Sequence, residues 1–196
     1  MITTTSDAYA TSFGFTEQEV FHALEEFGKS EKQKEVKNWY DGFTFGGISD
    51  IYNPWSILNY LKTGKIASYW TNTSSNRFVG SLIRESGRNL KMDFENLLKG
   101  GMLRTMLDEQ VVFSQLDHSE TAIWSMLLAS GYLKIADHET DTRTGREYYT
   151  LALTNREVQL MFENIVHDWF AEGAEDYNDF IKGLLSGDVE AMNCYM

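Results

Sequence analysis

The sequence predicts a mainly α protein with a small antiparallel β-sheet, in two packed subregions that divide near residues 88–92. Three observations predict this. Helix start and stop residues recur along the chain. Two strand-like runs flank Thr144-Gly145 in the second half. Aromatic residues make up 14% of the 196 residues, enough large side chains to fill a core.

In order, Thr16-Glu17-Gln18-Glu19 is a capping box, and Val20, Phe21 and Leu24 give its helix an apolar face that Gly28 ends. Ser30-Glu31-Lys32-Gln33 repeats the signal for a short charged helix running to Trp39. Asp41–Gly47 reads as a turn and a short hairpin. Asn53 caps the next helix, with Pro54 in the first turn, where its missing N–H costs nothing. Ile57, Leu58 and Leu61 are expected to face inward, and Gly64 to stop the helix. A polar stretch, Thr71–Asn76, precedes a helix from Arg77 to Ser86.

Asp93–Lys99 is a short helix stopped by Gly100-Gly101, and Leu103–Leu107 a short strand. Asp108–Leu116 holds a short helix or an irregular segment. Ser119 caps a helix over Glu120–Ser130, ended by Gly131. Tyr132–His138 and Glu147–Leu153 read as two strands. Thr154-Asn155-Arg156-Glu157 is a third capping box, opening a long amphipathic helix to Ala171. Helix, strand, helix, helix, strand, turn, strand is the winged-helix order. Asp176–Met196 reads as two helical segments broken at Ser186-Gly187, and stops in mid-pattern, as expected of a chain that continues. The expected organisation is 1–90, 91–172 and 173–196.

Charge excludes several function classes. Lys plus Arg is 17 and Asp plus Glu is 29, a net charge of −12. That argues against a general nucleic-acid binder and against docking on anionic lipid. The mostly apolar runs, such as Trp124–Leu128, are too short to span a bilayer. The N-terminus lacks the basic flank and apolar stretch of a secretory signal. The single cysteine, Cys194, excludes an internal disulfide and a cysteine-based zinc cluster. These features fit the cytoplasm.

Catalytic signatures are missing. Gly28-Lys29-Ser30 has the last three letters of a phosphate loop, but it follows a helix and lacks the upstream glycine, so it reads as a helix C-cap. His22, His118, His138 and His167 are scattered. Carboxylates such as Glu25-Glu26 and Asp108-Glu109 are adjacent, so on a helix they point about 100° apart. No catalytic residue, metal or cofactor is expected of this chain. A winged-helix nucleic-acid or protein-interaction module is the alternative. The helix in the recognition position, Glu120–Ser130, has no Lys or Arg, and the wing, Asp137–Glu147, sets Arg143 and Arg146 against four carboxylates. Ile123-Trp124 and Met126-Leu127-Leu128 are better read as core.

The densest cluster of unusual residues is Trp39-Tyr40-Asp41-Gly42-Phe43, Ile51-Tyr52-Asn53-Pro54-Trp55-Ser56 and Tyr69-Trp70-Thr71-Asn72-Thr73-Ser74-Ser75-Asn76. The plain reading is an aromatic mini-core whose Asn, Ser and Thr side chains cap loops and helices. The functional reading is an interface, because Trp and Tyr are enriched at binding hot spots. The interface candidates are Tyr40, Asp41, Tyr52, Asn53, Trp55, Trp70, Asn72, Ser74 and Asn76. Tyr40, Tyr52, Trp55 and Trp70 are expected to converge, with a buried centre and an exposed rim. Were Trp55 buried, Trp55→Ala would cost about 3–5 kcal/mol.

These three motifs, together with Ala122–Leu128, Gly131-Tyr132-Leu133, Thr154–Val158 and the entry Phe13-Gly14-Phe15-Thr16, resemble the later part of the bacterial AAA-ATPase-like proteins. The resemblance covers nearly the whole chain. It implies a middle region, with a P-loop ATPase core before it and a PD-(D/E)XK nuclease-like domain after it. Residues 1–90 would then be a helical lid-like region and 91–172 a winged-helix-like module. The implied partners are the chain's own P-loop core and C-terminal domain. ATP and magnesium would belong to that core, whose binding residues have no counterpart in this chain. Arg77 and Arg84 are the lid arginines in question, and both read as solvated.

Overall fold

A computed structural model describes residues 11–45, 47–70, 76–108 and 119–172. Contacts divide the chain into two units, Met1–Met161 and Phe162–Met196. The first contains β1 (Phe15–Thr16), α1 (Glu17–Glu26), α2 (Gln33–Tyr40), β2 (Phe43–Phe45), β3 (Ile48–Tyr52), α3 (Pro54–Thr63), α4 (Asn76–Glu85), α5 (Arg88–Leu98), β4 (Leu103–Thr105), α6 (Glu120–Ala129), β5 (Leu133–Thr140) and β6 (Glu147–Leu153). It also takes the first turns of α7 (Arg156–Glu172). The second unit is described only as the rest of α7. The expected segment Asp108–Leu116 beyond Asp108, and the tail from residue 173, lie outside the described residues.

The architecture is mixed α/β, with two small antiparallel sheets where the sequence predicted one. The first has strand order β1-β3-β2, with Phe15 opposite Tyr52 and Phe43 opposite Ile51. The second has order β4-β6-β5, with Leu103 and Ile135 both opposite Leu151. The β5–β6 turn is an Asp turn: the Asp141 carboxylate accepts from Arg143 N at 2.8 Å and Thr144 N at 3.2 Å. Those bonds hold the Asp141 carboxyl below its usual range.

The first capping box forms as expected. Thr16 Oγ1 accepts from Glu19 N, and Glu19 accepts from Thr16 N at 2.8 Å. These bonds hold the Glu19 carboxyl below its usual range. Gly28, at φ +65°, closes α1: Gly28 N donates to Glu25 O and Lys29 N to Leu24 O. The left-handed turn needs a residue without a Cβ, so this Gly-Lys pair is a helix C-cap.

Four expectations are corrected. The helix expected over Asp93–Lys99 begins five residues earlier, at Arg88, so α5 runs through the expected divide at residues 88–92. Ser30–Lys32 is a tight 3-10 turn, and α2 starts at Gln33 with no side-chain cap. In α3, Ser56, Ile57, Tyr60 and Leu61 are buried and Leu58 is 54% exposed. Tyr60 and Leu61 follow Ile57 at i+3 and i+4 on one face, whereas Leu58, the next residue, points about 100° away. At the third proposed capping box the helix begins at Arg156, one residue late for Thr154 to cap it. Asn155 is the cap, its Oδ1 accepting from Val158 N at 3.1 Å. Thr154 instead donates to Gly131 O at 2.7 Å.

Val20, Leu24, Val36, Tyr40, Tyr52, Ile57, Tyr60 and Leu61 form one core cluster. Leu90, Phe94 and Leu97 are the buried stripe of α5, at i, i+4 and i+7. Six of the ten residues of α6 are buried, including Ile123, Trp124, Leu127 and Leu128, so it is a core helix as the sequence predicted.

Candidate functional site

Two of the three aromatic motifs meet at a carboxylate, and the first packs beside them. Glu157, second residue of α7, is buried. Its Oε2 accepts from Ser56 Oγ at 2.8 Å, and its Oε1 accepts from Tyr69 N at 2.5 Å and Trp70 N at 2.7 Å. The second and third motifs are thereby pinned to the start of α7. Tyr40 ties in the first: its hydroxyl donates to Ala67 O at 2.9 Å and accepts from Ala67 N at 3.1 Å. Its ring lies 6.3 Å from that of Tyr69 and 6.1 Å from that of Tyr60. Trp70 packs edge-on against Phe43 at 5.6 Å and lies 5.4 Å from Tyr132.

The sequence assigned Glu157 to a capping box. Its actual role follows from the one-residue shift in the α7 start, which turns the carboxylate to donors distant in sequence. The acidic residue at a helix N-terminus was legible; its partners were not.

The candidate residues separate by environment. Tyr40 and Tyr52 are fully buried and share one core. Asp41 is buried, and its Oδ1 accepts from Gly42 N at 2.6 Å. Asn53 caps α3, accepting from Trp55 N at 2.9 Å and Ser56 N at 3.3 Å. Trp70 is half-buried. Trp55 is 60% exposed. Asn72 and Ser74 lie outside the described residues, and Asn76 is described only as the first residue of α4.

A charged cluster escaped the sequence reading. The Lys37 ammonium pairs with Glu17, with Asp50 Oδ1 at 3.2 Å and with Asp41 Oδ2 at 3.6 Å. Tyr52 OH donates to Glu17 at 3.3 Å. Glu17, Asp41 and Asp50 each offer an oxygen within 4.8 Å of the others. Lys37 already serves as their cation, so the group reads as an ion-pair network. Three carboxylates around one ammonium leave an excess of negative charge. Burial pushes the Asp41 carboxyl up to about 6, helped by its hydrogen bond to Asp50. For Asp50, burial acts upward but the bonds from Lys37 and Asp41 prevail and hold it low. The bond to Glu17 holds the Lys37 ammonium above its ordinary range, and burial raises the Tyr52 phenol. Asp50 sits at φ +58°, left-handed for a residue other than glycine, which no local motif announces.

On α1 and α3 lies an apolar groove of about 590 Å³. Val20, Ala23, Ile57 and Leu61 line it, with Phe27 and Leu58 on its walls. Phe27 is 56% exposed and Leu58 54%. Trp55, Leu58 and Lys62 follow at i, i+3 and i+7, so Trp55 continues the α3 wall. Large apolar side chains left open together mark interaction surfaces. Among the described residues, no helix is long and apolar enough to cross a membrane. Compared with protein families, curated proteins and solved structures, the chain finds no match.

Proposed function

We propose that this chain is a non-catalytic docking and coupling module: the middle region of an AAA-ATPase-like protein, packing on a P-loop core through the α1–α3 groove. The observation that carries the reading is the exposure of Trp55, Leu58 and Phe27 beside an otherwise buried aromatic core. A folded chain loses favourable apolar burial by leaving three such residues open, and a partner surface recovers it. The sequence motifs support the choice of partner, because the same aromatic segments carry the resemblance.

In this reading the Glu157 joint transmits the docked state. It fastens α3, whose outer face lines the groove, to the start of α7. Residues 91–172 act as a winged-helix-like packing module. Nucleic-acid readout is disfavoured, since α6 is buried and carries no Lys or Arg. The chain itself supplies no catalytic group, and ATP and magnesium belong to the core. The setting is cytoplasmic, without membrane contact.

The test is association with a separately produced P-loop core of an AAA-ATPase-like protein, measured by calorimetry. Wild type binds, and Trp55→Ala weakens binding about tenfold or more, the usual effect of removing a hot-spot Trp. Failure of the wild-type chain to bind, or ATP turnover by the chain alone, contradicts the proposal.

A further inference from the structure

The two walls of the α1–α3 groove run side by side in one direction. Both helices start from the paired strand residues Phe15 and Tyr52. They also end together: a Cβ added at Gly64, just past α3, would lie 3.2 Å from the Nζ of Lys29, just past α1. Positions equally far from the two helix starts are therefore level across the groove.

The outer edges of the walls differ. On α1, Glu19 lines the groove, and Glu26 follows it at i+7, two turns along the same edge. Glu26 is exposed, with His22 beside it at 3.5 Å. On α3 the edge is Trp55, Leu58 and Lys62. Lys62, ninth in α3, is level with Glu26, tenth in α1. Lys62 is exposed and has no ion pair or hydrogen bond among the described residues. One edge is thus acidic and the other apolar and basic, above an apolar floor.

Such a surface is complementary to itself. A second copy turned over about a two-fold axis along the groove lays its α3 edge on the α1 edge of the first. A two-fold axis across the groove would instead set α1 on α1 and face carboxylates with carboxylates, which is unfavourable. The net charge of −12 opposes self-association at long range. At about 0.15 M salt the Debye length is about 8 Å, so the groups in contact decide.

We propose that a second copy of this chain covers the groove, in a two-fold dimer whose axis runs along it. Trp55 and Leu58 of each chain enter the other's groove, and Lys62 of each meets the partner's Glu26. The inference rests on the reading of the groove as an interaction face, and it goes beyond that reading by giving the face a second occupant. A P-loop core and a second copy would compete for it.

The test is sedimentation equilibrium of the whole chain at about 0.15 M salt, where exposed charges interact only at short range. A reversible monomer–dimer equilibrium in the micromolar range is expected. Leu58→Glu, at an exposed position, should weaken it about tenfold or more. Lys62→Glu and Glu26→Lys each oppose like charges twice in their own dimers, so each should weaken association. Mixed in equal amounts, these two variants place opposite charges at both contacts, and they should form a mixed dimer tighter than either alone. That recovery also shows that both variants are folded. A wild-type chain that stays monomeric, a Leu58→Glu chain that dimerises as well as wild type, or a mixture no tighter than its components overturns the proposal. A monomeric chain that still binds the P-loop core removes the dimer and keeps the docking reading, whereas a dimer that ignores the core does the reverse.

Discussion

At the Glu157 joint, aromatic and polar groups are enclosed and partnered: Tyr40 bonds both polar atoms of Ala67, and one carboxylate serves Ser56, Tyr69 and Trp70. Along the α1–α3 groove a few residues away, Phe27, Trp55 and Leu58 stand open. Ser56 and Trp55 are neighbours in sequence and belong one to each region. Adjacent positions on a helix point about 100° apart, so a single motif supplies a structural anchor and an interaction surface. Aromatic density alone therefore does not mark a binding face. What marks it is the set of large apolar groups left without cover.

The largest effect expected is at the joint. Glu157→Ala removes the acceptor for three donors, and each unmet buried donor costs about 1–3 kcal/mol. Urea denaturation should register a loss of about 3 kcal/mol or more. Glu157→Gln keeps the shape but turns an N–H toward a donor, and should lose less. A loss below that of an ordinary surface substitution would detach the three motifs from the joint.

Next comes Tyr40→Phe, which leaves the ring in the core and strips the hydroxyl from Ala67. A loss of about 1–2 kcal/mol is expected. An unchanged midpoint would mean that the residue 67 backbone is served by water.

A pH experiment probes the charged cluster. The Asp41 carboxyl is raised to about 6 by burial, with its bond to Asp50 second. A raised acid contributes stability that is complete below its unfolded value, near 4, and lost as pH rises through about 6. Asp41→Asn keeps the acceptor for Gly42 N and a donor for Asp50 at every pH. The variant should therefore gain relative to wild type between about pH 4 and 6 and hold that gain at pH 7. Asp50, held low, acts in the opposite direction and loses its contribution as pH falls. A stability difference flat across this window would contradict the assignment to Asp41.

Four local signals, whose partners lie within a few residues, were read correctly. The Thr16–Glu19 box, the Gly28 cap, the Asn53 cap and the β5–β6 hairpin all depend on neighbours. Long-range partners were not legible. Glu157 reaches residues 88 and 101 positions away in sequence, and Lys37 collects Glu17 from α1 and Asp50 from β3, 20 and 13 positions away. Nothing in a capping pattern distinguishes Glu at the third helical position from Glu at the second. A one-residue error in the helix start decides whether the side chain bonds its own backbone or someone else's. In α3 the start was right, but Leu58 was assigned to the face of Ile57 although adjacent helical positions point about 100° apart, and Tyr60, at i+3 from Ile57, was left unmentioned.

Trp55→Ala is the smallest expected effect on stability. A side chain 60% exposed has little burial to lose, so about 1 kcal/mol or less is expected in place of the buried-Trp range. The most direct test of the account sets Glu157→Ala beside the double variant Trp55→Ala, Leu58→Ala in parallel urea unfolding of the whole chain. The account predicts that Glu157→Ala loses most of the stability, while the groove variant unfolds close to wild type. A groove variant that falls as far as Glu157→Ala would contradict it, because Trp55 and Leu58 would then be part of the core and not an open face.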